Sequence, residues 1–283
     1  RNYTADLGIV ADARAFLRQL LAELDRIGAA TPERRQWLAA IAGWRAEWEA
    51  FVRPNFAIDT SPLRPEPVVE AVRRVLPDDA IISLDSGVHH NWFMQFWEAR
   101  QPQTMLNAWG FSAMGFGVSG ILGAKLAAPD RVCVSICGDG GFTMTPHVLC
   151  TAVEYDIPCI WLIWNNFAWG AIRDIQYGLF DGREYGTAFY SGENRRPYNP
   201  DFAALARAHG VNGVTVTRIA DLAPALQAAI AANRPCVLDV HVDANVRPPA
   251  TGTWALPPIP HKEPVFGRRL TAAGMIAAER AGM

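Results

Sequence analysis

The sequence predicts an α/β fold, a parallel sheet with helices on both faces. Short, continuously apolar runs at 80–84, 132–137, 158–164 and 236–242 alternate with helical patterns. A strand buried on both faces reads as such an unbroken run, whereas a strand with one wet face alternates. Turns rich in glycine or asparagine directly follow two of those runs. The chain has 283 residues, 50% of them hydrophobic and 19% charged. At roughly 150 residues per domain that length holds about two domains, and the composition excludes a disordered, collagen-like or coiled-coil chain.

Residues 11–26 place Phe16, Leu20, Leu21 and Leu24 at helical spacing, with Ile27 and then Gly28 as the stop. A second helix starts at a Thr31 cap with Pro32 in its first position and runs through Trp37, Ile41, Trp44 and Trp48. Pro54, Pro62, Pro65 and Pro67 then read as a linker, because each lacks a backbone donor and holds the preceding residue extended. From residue 67 onward helix and strand alternate: a helix through Val75, a strand at 80–84, a glycine-rich helix from Ala113, and strands at 132–137 and 158–164. A helix at 201–209, a strand at 214–217, a helix through Ile230 and a strand at 236–242 complete the pattern. The expected divisions are therefore 1–30, 31–66 as helix and linker, 67–250 as the main α/β domain and 251–283 as a tail. Gly110, Gly115, Gly117, Gly120 and Gly123 recur through the glycine-rich stretch, where each costs up to about 1 kcal/mol of helix propensity relative to alanine. Close approach to a ligand or neighbouring chain, or packing against the sheet, would account for them.

A formal net charge of −2 and a pI near 6.3 give no electrostatic footprint for nucleic acid or an anionic membrane surface. The strongly apolar stretches, such as 157–164, are far shorter than a membrane span. The first twelve residues show no apolar core or cleavage pattern of a signal peptide, and the chain opens on Arg1 as if cut from something longer. Cys133, Cys137, Cys150, Cys159 and Cys236 are odd in number, lack CxxC spacing and sit mostly in apolar runs. They read as buried thiols in a reducing, cytoplasmic setting rather than as disulfides or a zinc site.

In a parallel sheet ligands collect at the carboxyl ends of strands. There the chain places Gly138-Asp139-Gly140-Gly141-Phe142 after one strand and Asn165-Asn166-Phe167-Ala168-Trp169-Gly170 after the next. A glycine turn exposes N–H groups that can cradle phosphate oxygens, and an aspartate is a hard oxygen ligand for Mg²⁺ or Ca²⁺. The Asn166 amide oxygen and a free carbonyl at Ala168 would add two more such ligands. Either turn alone is an ordinary strand-to-helix connection. Together they are separated by 27 residues, the length of one helix and one strand, which sets them side by side.

These residues resemble thiamine diphosphate (ThDP) enzymes, most nearly the acetolactate synthase large-subunit group, over nearly the whole chain. Residues 138–144 resemble that group's GDASFxM run, Ala113-Met114-Gly115-Phe116-Gly117 its AMGFG run, and Gly87-Val88-His89-His90-Asn91-Trp92 its GxHxxW segment. Met114 precedes Asp139 by 25 residues, the family's spacing. The resemblance implies a ThDP-binding fold over 67–250, preceded at 1–30 by the end of a middle domain whose closing strand resembles 1–10. It implies Mg²⁺ on Asp139, Asn166 and the Ala168 carbonyl, with Gly87, His89, Gly138, Gly140, Gly141, Trp169, Gly170 and Ala171 around the cofactor. Met114 would wedge under the thiazolium ring, and the Ser112 carbonyl would accept from the 4′-amino group. His90 could take the part of His89.

The implied activity is making or breaking a carbon–carbon bond beside a carbonyl, as a 2-oxo acid decarboxylase or carboligase. True acetolactate synthases carry methionine and tryptophan where this chain has Ala171 and Ile175, so the expected substrate wall is Trp109, Trp169, Ala171, Ile172 and Ile175. A cyclic-dione hydrolase or a sulfoacetaldehyde acetyltransferase suits these changes as well, and a non-catalytic ThDP-fold subunit is the competitor from another class. The family's catalytic glutamate sits on a pyrimidine-binding domain that nothing in this chain resembles. The expected partner is therefore an N-terminal half carrying that domain, within a homo- or hetero-oligomer of at least two active halves. The family's FAD site lies mainly outside the stretch resembled here, so FAD stays open.

Overall fold

The structure, a computed structural model, describes residues 5–29 and 34–249. It contains a six-stranded sheet, every neighbouring pair parallel. In chain order the elements from Arg53 onward are α3 (Pro65–Val75), β1 (Ile81–Leu84), α4 (Val88–Phe96), β2 (Met105–Asn107), α5 (Phe116–Ala127), β3 (Cys133–Gly138), α6 (Asp139–Phe142), α7 (Val148–Glu154), β4 (Ile160–Asn165) and α8 (Gly170–Leu179). A two-stranded ribbon of β5 (Tyr190–Ser191) and β6 (Arg196–Pro197) follows, then α9 (Phe202–Ala208), β7 (Asn212–Val216), α10 (Ile219–Ala232) and β8 (Cys236–His241). The sheet order is β2-β1-β3-β4-β8-β7. The chain steps from β1 outward to β2 and then crosses back to β3 on the other side, so the strand order reverses between β1 and β3. Such a reversal opens a crevice at the carboxyl ends of the two strands.

The unbroken apolar runs sort by parity onto two faces. In β4, Ile160, Leu162 and Trp164 join a core with Val68, Val72, Phe93 and Leu226, under α3, α4 and α10. Cys159, Trp161 and Ile163 enter a second core with Ile121, Leu149 and Phe202, under α5, α7 and α9. Successive strand side chains point to opposite faces, so a sheet covered on both sides is apolar at most strand positions. Burial also explains the thiols: Cys133, Cys137, Cys159 and Cys236 are buried and free, and burial pushes Cys236 up to about 11. Cys150 is exposed.

The proline-rich segment departs from its reading as a linker. Leu63 is buried and bridges Val242 at the end of β8, its N–H donating to the His241 carbonyl at 2.9 Å and its carbonyl accepting from the Asp243 N–H at 2.9 Å. Pro65 and Pro67 open α3, where the N–H groups that proline lacks would have had no intrahelical acceptor. The compact unit carrying the sheet accordingly runs from Arg53 to Pro249. Sequence reading also missed α4, α8 and the edge strand β2.

The other unit contains α1 (Ala13–Arg26) and α2 (Arg35–Val52). Asp12 caps α1 by accepting from the Ala15 N–H at 2.8 Å, and Gly28 ends it with left-handed φ at +62°. Leu17, Leu20, Leu21 and Leu24 of α1 are exposed, as are Trp37 and Trp44 of α2, which pair edge to face at 5.6 Å. The expected cap at Thr31, the tail at 251–283 and Arg1 to Thr4 lie outside the described residues. Residues 5–12 form no strand, because a strand needs a neighbour to complete its ladder and none of the described residues pairs with them. Among the described residues no helix is long and apolar enough to cross a membrane.

Candidate cofactor site

The turns after β1, β3 and β4 line one cleft of about 340 Å³ at the predicted edge of the sheet. Gly87, His89, Met114, Gly138, Asp139, Gly140, Gly141, Asn166, Ala168, Trp169, Gly170, Ala171 and Ile172 all line it. Ser112, Trp109 and Ile175 do not. Ser112 has left-handed φ at +54° and its hydroxyl donates to Ser86 Oγ at 3.2 Å, placing it beside the β1 turn. Trp109 packs edge-on against His90 at 4.4 Å. Ile175 sits a helical turn further along α8 than Ile172, away from the strand end from which the helix starts.

Register brings the two signature turns together. β3 and β4 pair Gly138 with Trp164, which sets Asp139 abreast of Asn165. Asp139 is buried, and its Oδ1 accepts from the Gly140 N–H at 2.8 Å. Its Oδ2 accepts from the Ala168 N–H at 3.3 Å and from Asn199 Nδ2 at 2.7 Å. Burial pushes this carboxyl up to about 6, and the bonds from Gly140, Asn199 and Ala168 offset part of that rise. Gly140 and Gly141 pack where no side chain fits: a Cβ on Gly140 would collide with the Trp169 indole, and one on Gly141 with Asp85 Oδ2. A Cβ on Gly170 would lie 2.6 Å from Asn166 Nδ2.

The asparagine turn is irregular by construction. Phe167 has left-handed φ at +55°, and its ring packs edge-on against His241. Ala168 bridges Ala188, with the Trp169 N–H donating to the Thr187 carbonyl and the Phe189 N–H to the Phe167 carbonyl, at 2.9 and 2.8 Å. Those bonds belong to the residues flanking Ala168. The N–H and carbonyl of Ala168 therefore stay outside the bridge, on the edge that meets Asp139.

Two functional-looking residues had no local signal. Asp85, at the end of β1, accepts from the Gly115 N–H through Oδ2 and from the Gly117 N–H through Oδ1, each at 3.0 Å. It thus caps α5 from a distant strand, and burial raises its carboxyl against the pull of those bonds. Asn199 reaches Asp139 from 60 residues further along. Met144, Ser86 and Val88 also line the cleft.

His89 is fully buried and its Nε2 lies 2.9 Å from the Asp85 carbonyl. A carbonyl only accepts, so Nε2 carries the proton. Burial, with neighbouring His90 adding to it, drives His89 down to about 3, so the ring is neutral and Nδ1 is an acceptor. It donates to a phosphate oxygen only after taking up a proton. His90 faces away, with its Nε2 against Asn107 Nδ2 at 2.7 Å.

Residues 85–240, more than half the chain, match the family "Thiamine pyrophosphate enzyme, C-terminal TPP binding domain". The chain belongs to the thiamine pyrophosphate enzymes. It is 32% identical over 264 residues to a probable acetolactate synthase large subunit of Methanocaldococcus jannaschii, covering 91% of this chain and 42% of that protein. It is 34% identical to the acetolactate synthase large subunit of Corynebacterium glutamicum, covering 86% of this chain and 38% of that one. Among solved structures it is similar to the thiamine diphosphate-dependent 4-hydroxybenzoylformate decarboxylase of Rhodococcus jostii RHA1. The TM-score there is 0.59 at 29% identity, over 65% of this chain and 33% of that one. The chain thus spans about two fifths of the length of the curated relatives it matches.

The residues present fit the family's cofactor. A buried carboxylate, an amide oxygen and a backbone carbonyl form a set of hard oxygen donors suited to Mg²⁺, which keeps places for phosphate and water oxygens. Among the described residues no group hydrogen-bonds the Asn166 side chain, and no cluster of three His, Cys, Asp or Glu residues competes for a metal. Beside these donors Gly140, Gly141 and Gly170 carry no side chain and pack against Trp169, Asp85 and Asn166, and glycine backbone of this kind at a strand end suits a diphosphate.

Proposed function

We propose that this chain is the diphosphate-holding half of a ThDP- and Mg²⁺-dependent enzyme that makes or breaks a carbon–carbon bond next to a carbonyl, as 2-oxo acid decarboxylases and carboligases do. The observation that carries the reading is the meeting of Asp139, Asn166 and Ala168 beside the glycine turn in one cleft. Asp139, Asn166 and the Ala168 carbonyl would hold the cation, and the backbone of Gly140, Gly141 and Gly170 would border the diphosphate. ThDP, when bound, supplies a carbanion equivalent able to add to a carbonyl. Met114 and Trp169 both pack against the space a Gly140 side chain would fill, so they would border the diphosphate cradle.

Among the described residues lining the cleft Asp139 is the one carboxylate, and no glutamate is among them. The group that assists proton removal at the cofactor must come from a pyrimidine-binding domain, within an assembly of at least two active halves. Ala171 and Ile172 line the cleft and favour a small-molecule carbonyl substrate beside a compact apolar wall. The test is calorimetric titration of ThDP into the chain with Mg²⁺ and with chelator. Binding should need the cation, and Asp139→Ala should weaken it at least about 100-fold, at the strong end of what ligand-shell changes cost. Equal affinity in the variant would refute the site.

A further inference from the structure

We infer that Asn199 is a positioning residue that selects Oδ1 of Asp139 as the cation-binding oxygen; this rests on the reading of the cleft as a Mg-ThDP site. A chain of side-chain amides runs behind Asp139, and its polarity reads from one end. Asp239 is buried, and its Oδ1 accepts from Asn165 Nδ2 at 2.9 Å. The Asn165 amide oxygen then points the other way, and Asn199 must meet it with Nδ2, at 2.7 Å. The same Nδ2 has one hydrogen left, which goes to Asp139 Oδ2, also at 2.7 Å.

Counting lone pairs completes the argument. A carboxylate oxygen has two acceptor sites. On Asp139, Oδ2 has both in use, one for Asn199 and one for the Ala168 N–H, while Oδ1 accepts from the Gly140 N–H; the Phe167 N–H, whose hydrogen bond goes to Asn165 Oδ1 at 3.4 Å, adds a weaker pull on the carboxylate. A cation therefore finds its open site on Oδ1. Asn199 also fixes the rotation of the carboxylate about its own axis, so that the open site keeps one direction. The segment that delivers Asn199 is tied to the asparagine turn along its length: Thr187 and Phe189 bond the residues flanking Ala168, and the Tyr198 N–H donates to the Phe189 carbonyl at 3.0 Å. One strap thus positions the carbonyl of Ala168 and the carboxylate of Asp139 together.

The experiment measures Mn²⁺, used as a paramagnetic substitute for Mg²⁺, by electron paramagnetic resonance in the presence of ThDP, together with the thermal midpoint of the metal-free chain. Asn199→Ala should weaken Mn²⁺ binding about 10- to 100-fold, as loss of a bond orienting a metal ligand does, while saturating Mn²⁺ restores full occupancy and the metal-free midpoint barely moves. Asn199→Ser, which keeps one donor but cannot serve both partners, should fall between. In the Asp139→Ala background, Asn199→Ala should cost no further affinity. Additive losses in that double variant, or a fall in the metal-free midpoint matching the loss of binding, would overturn the inference and leave Asn199 as a packing residue. Failure of the wild-type chain to bind Mn²⁺ with ThDP would overturn the site reading itself, and the inference with it.

Discussion

His89 shows how a residue's environment sets what it can do. The unfolded chain titrates this ring near 6.5, while the folded chain holds it neutral down to about 3 because burial excludes the charged form. Between those values the unfolded state binds a proton that the native state refuses, so stability rises with pH and is lost as pH falls, by up to about 1.4 kcal/mol per pH unit. Asp139 works against it. Its folded value of about 6 lies above the unfolded 3.8, so between those values the native state holds the extra proton and stability falls as pH rises. The two slopes largely cancel from about pH 4 to 6. In His89→Gln the His89 slope is gone and the opposing Asp139 slope is no longer offset by it, so the metal-free variant should gain stability relative to wild type as the buffer is acidified. Urea midpoints of both proteins across that range check it. A difference that stays constant with pH would mean that His89 is not held neutral.

At the scale of elements, α5 separates two uses of glycine that the sequence could not. A Cβ on Gly117 would lie 2.6 Å from the Asp85 backbone nitrogen, so α5 meets the end of β1 there at backbone contact and a side chain has nowhere to go. Gly123 has nothing within 4 Å of its Cβ position. Gly117→Ala should therefore destabilise by about 1–3 kcal/mol, as overpacking does, and Gly123→Ala should stabilise by about 0.5–1 kcal/mol through helix propensity and a less flexible unfolded chain. Urea denaturation reads both, and equal effects would remove the contact argument. The same element shows where the sequence was legible. β3, β4 and β8 were plain because strands buried on two faces are apolar at most positions, with Ser135, Asn165 and Asp239 as the buried polar exceptions. The turns after β3 and β4 were plain because their glycines and asparagines directly follow buried strands. Asp85 and Asn199 were hidden because their partners lie 30 and 60 residues away, and long-range bonds leave no periodicity. Pro65 was misread because proline breaks a helix interior yet suits its first turn.

For the whole molecule, the cleft is, under the proposed function, half of a reaction site. Its described lining has one carboxylate, and that one already accepts from Asn199 and from the Gly140 and Ala168 N–H groups. His89 offers only Nδ1, deep in the fold and neutral. Neither group is free to serve as an acid or base for a cofactor ring that would bind in the cleft. The 283-residue chain should therefore bind ThDP with Mg²⁺ and yet leave the cofactor's C2 proton to exchange at the rate of the free cofactor. Adding a pyrimidine-binding domain that carries a glutamate should accelerate that exchange by at least the roughly 10² to 10⁴ that general acid–base assistance supplies, with the closing of the second pocket wall adding to it. Such a domain must cover the apolar rim formed by Met114, Met144, Trp169 and Ile172, all of which are exposed on this chain. The measurement is proton exchange at C2, quenched in acid and read by NMR, with the chain alone and after the N-terminal piece is added. Fast exchange by the chain alone would show that a residue of its own performs the proton transfer, and the half-site proposal would fall while the cofactor site stood.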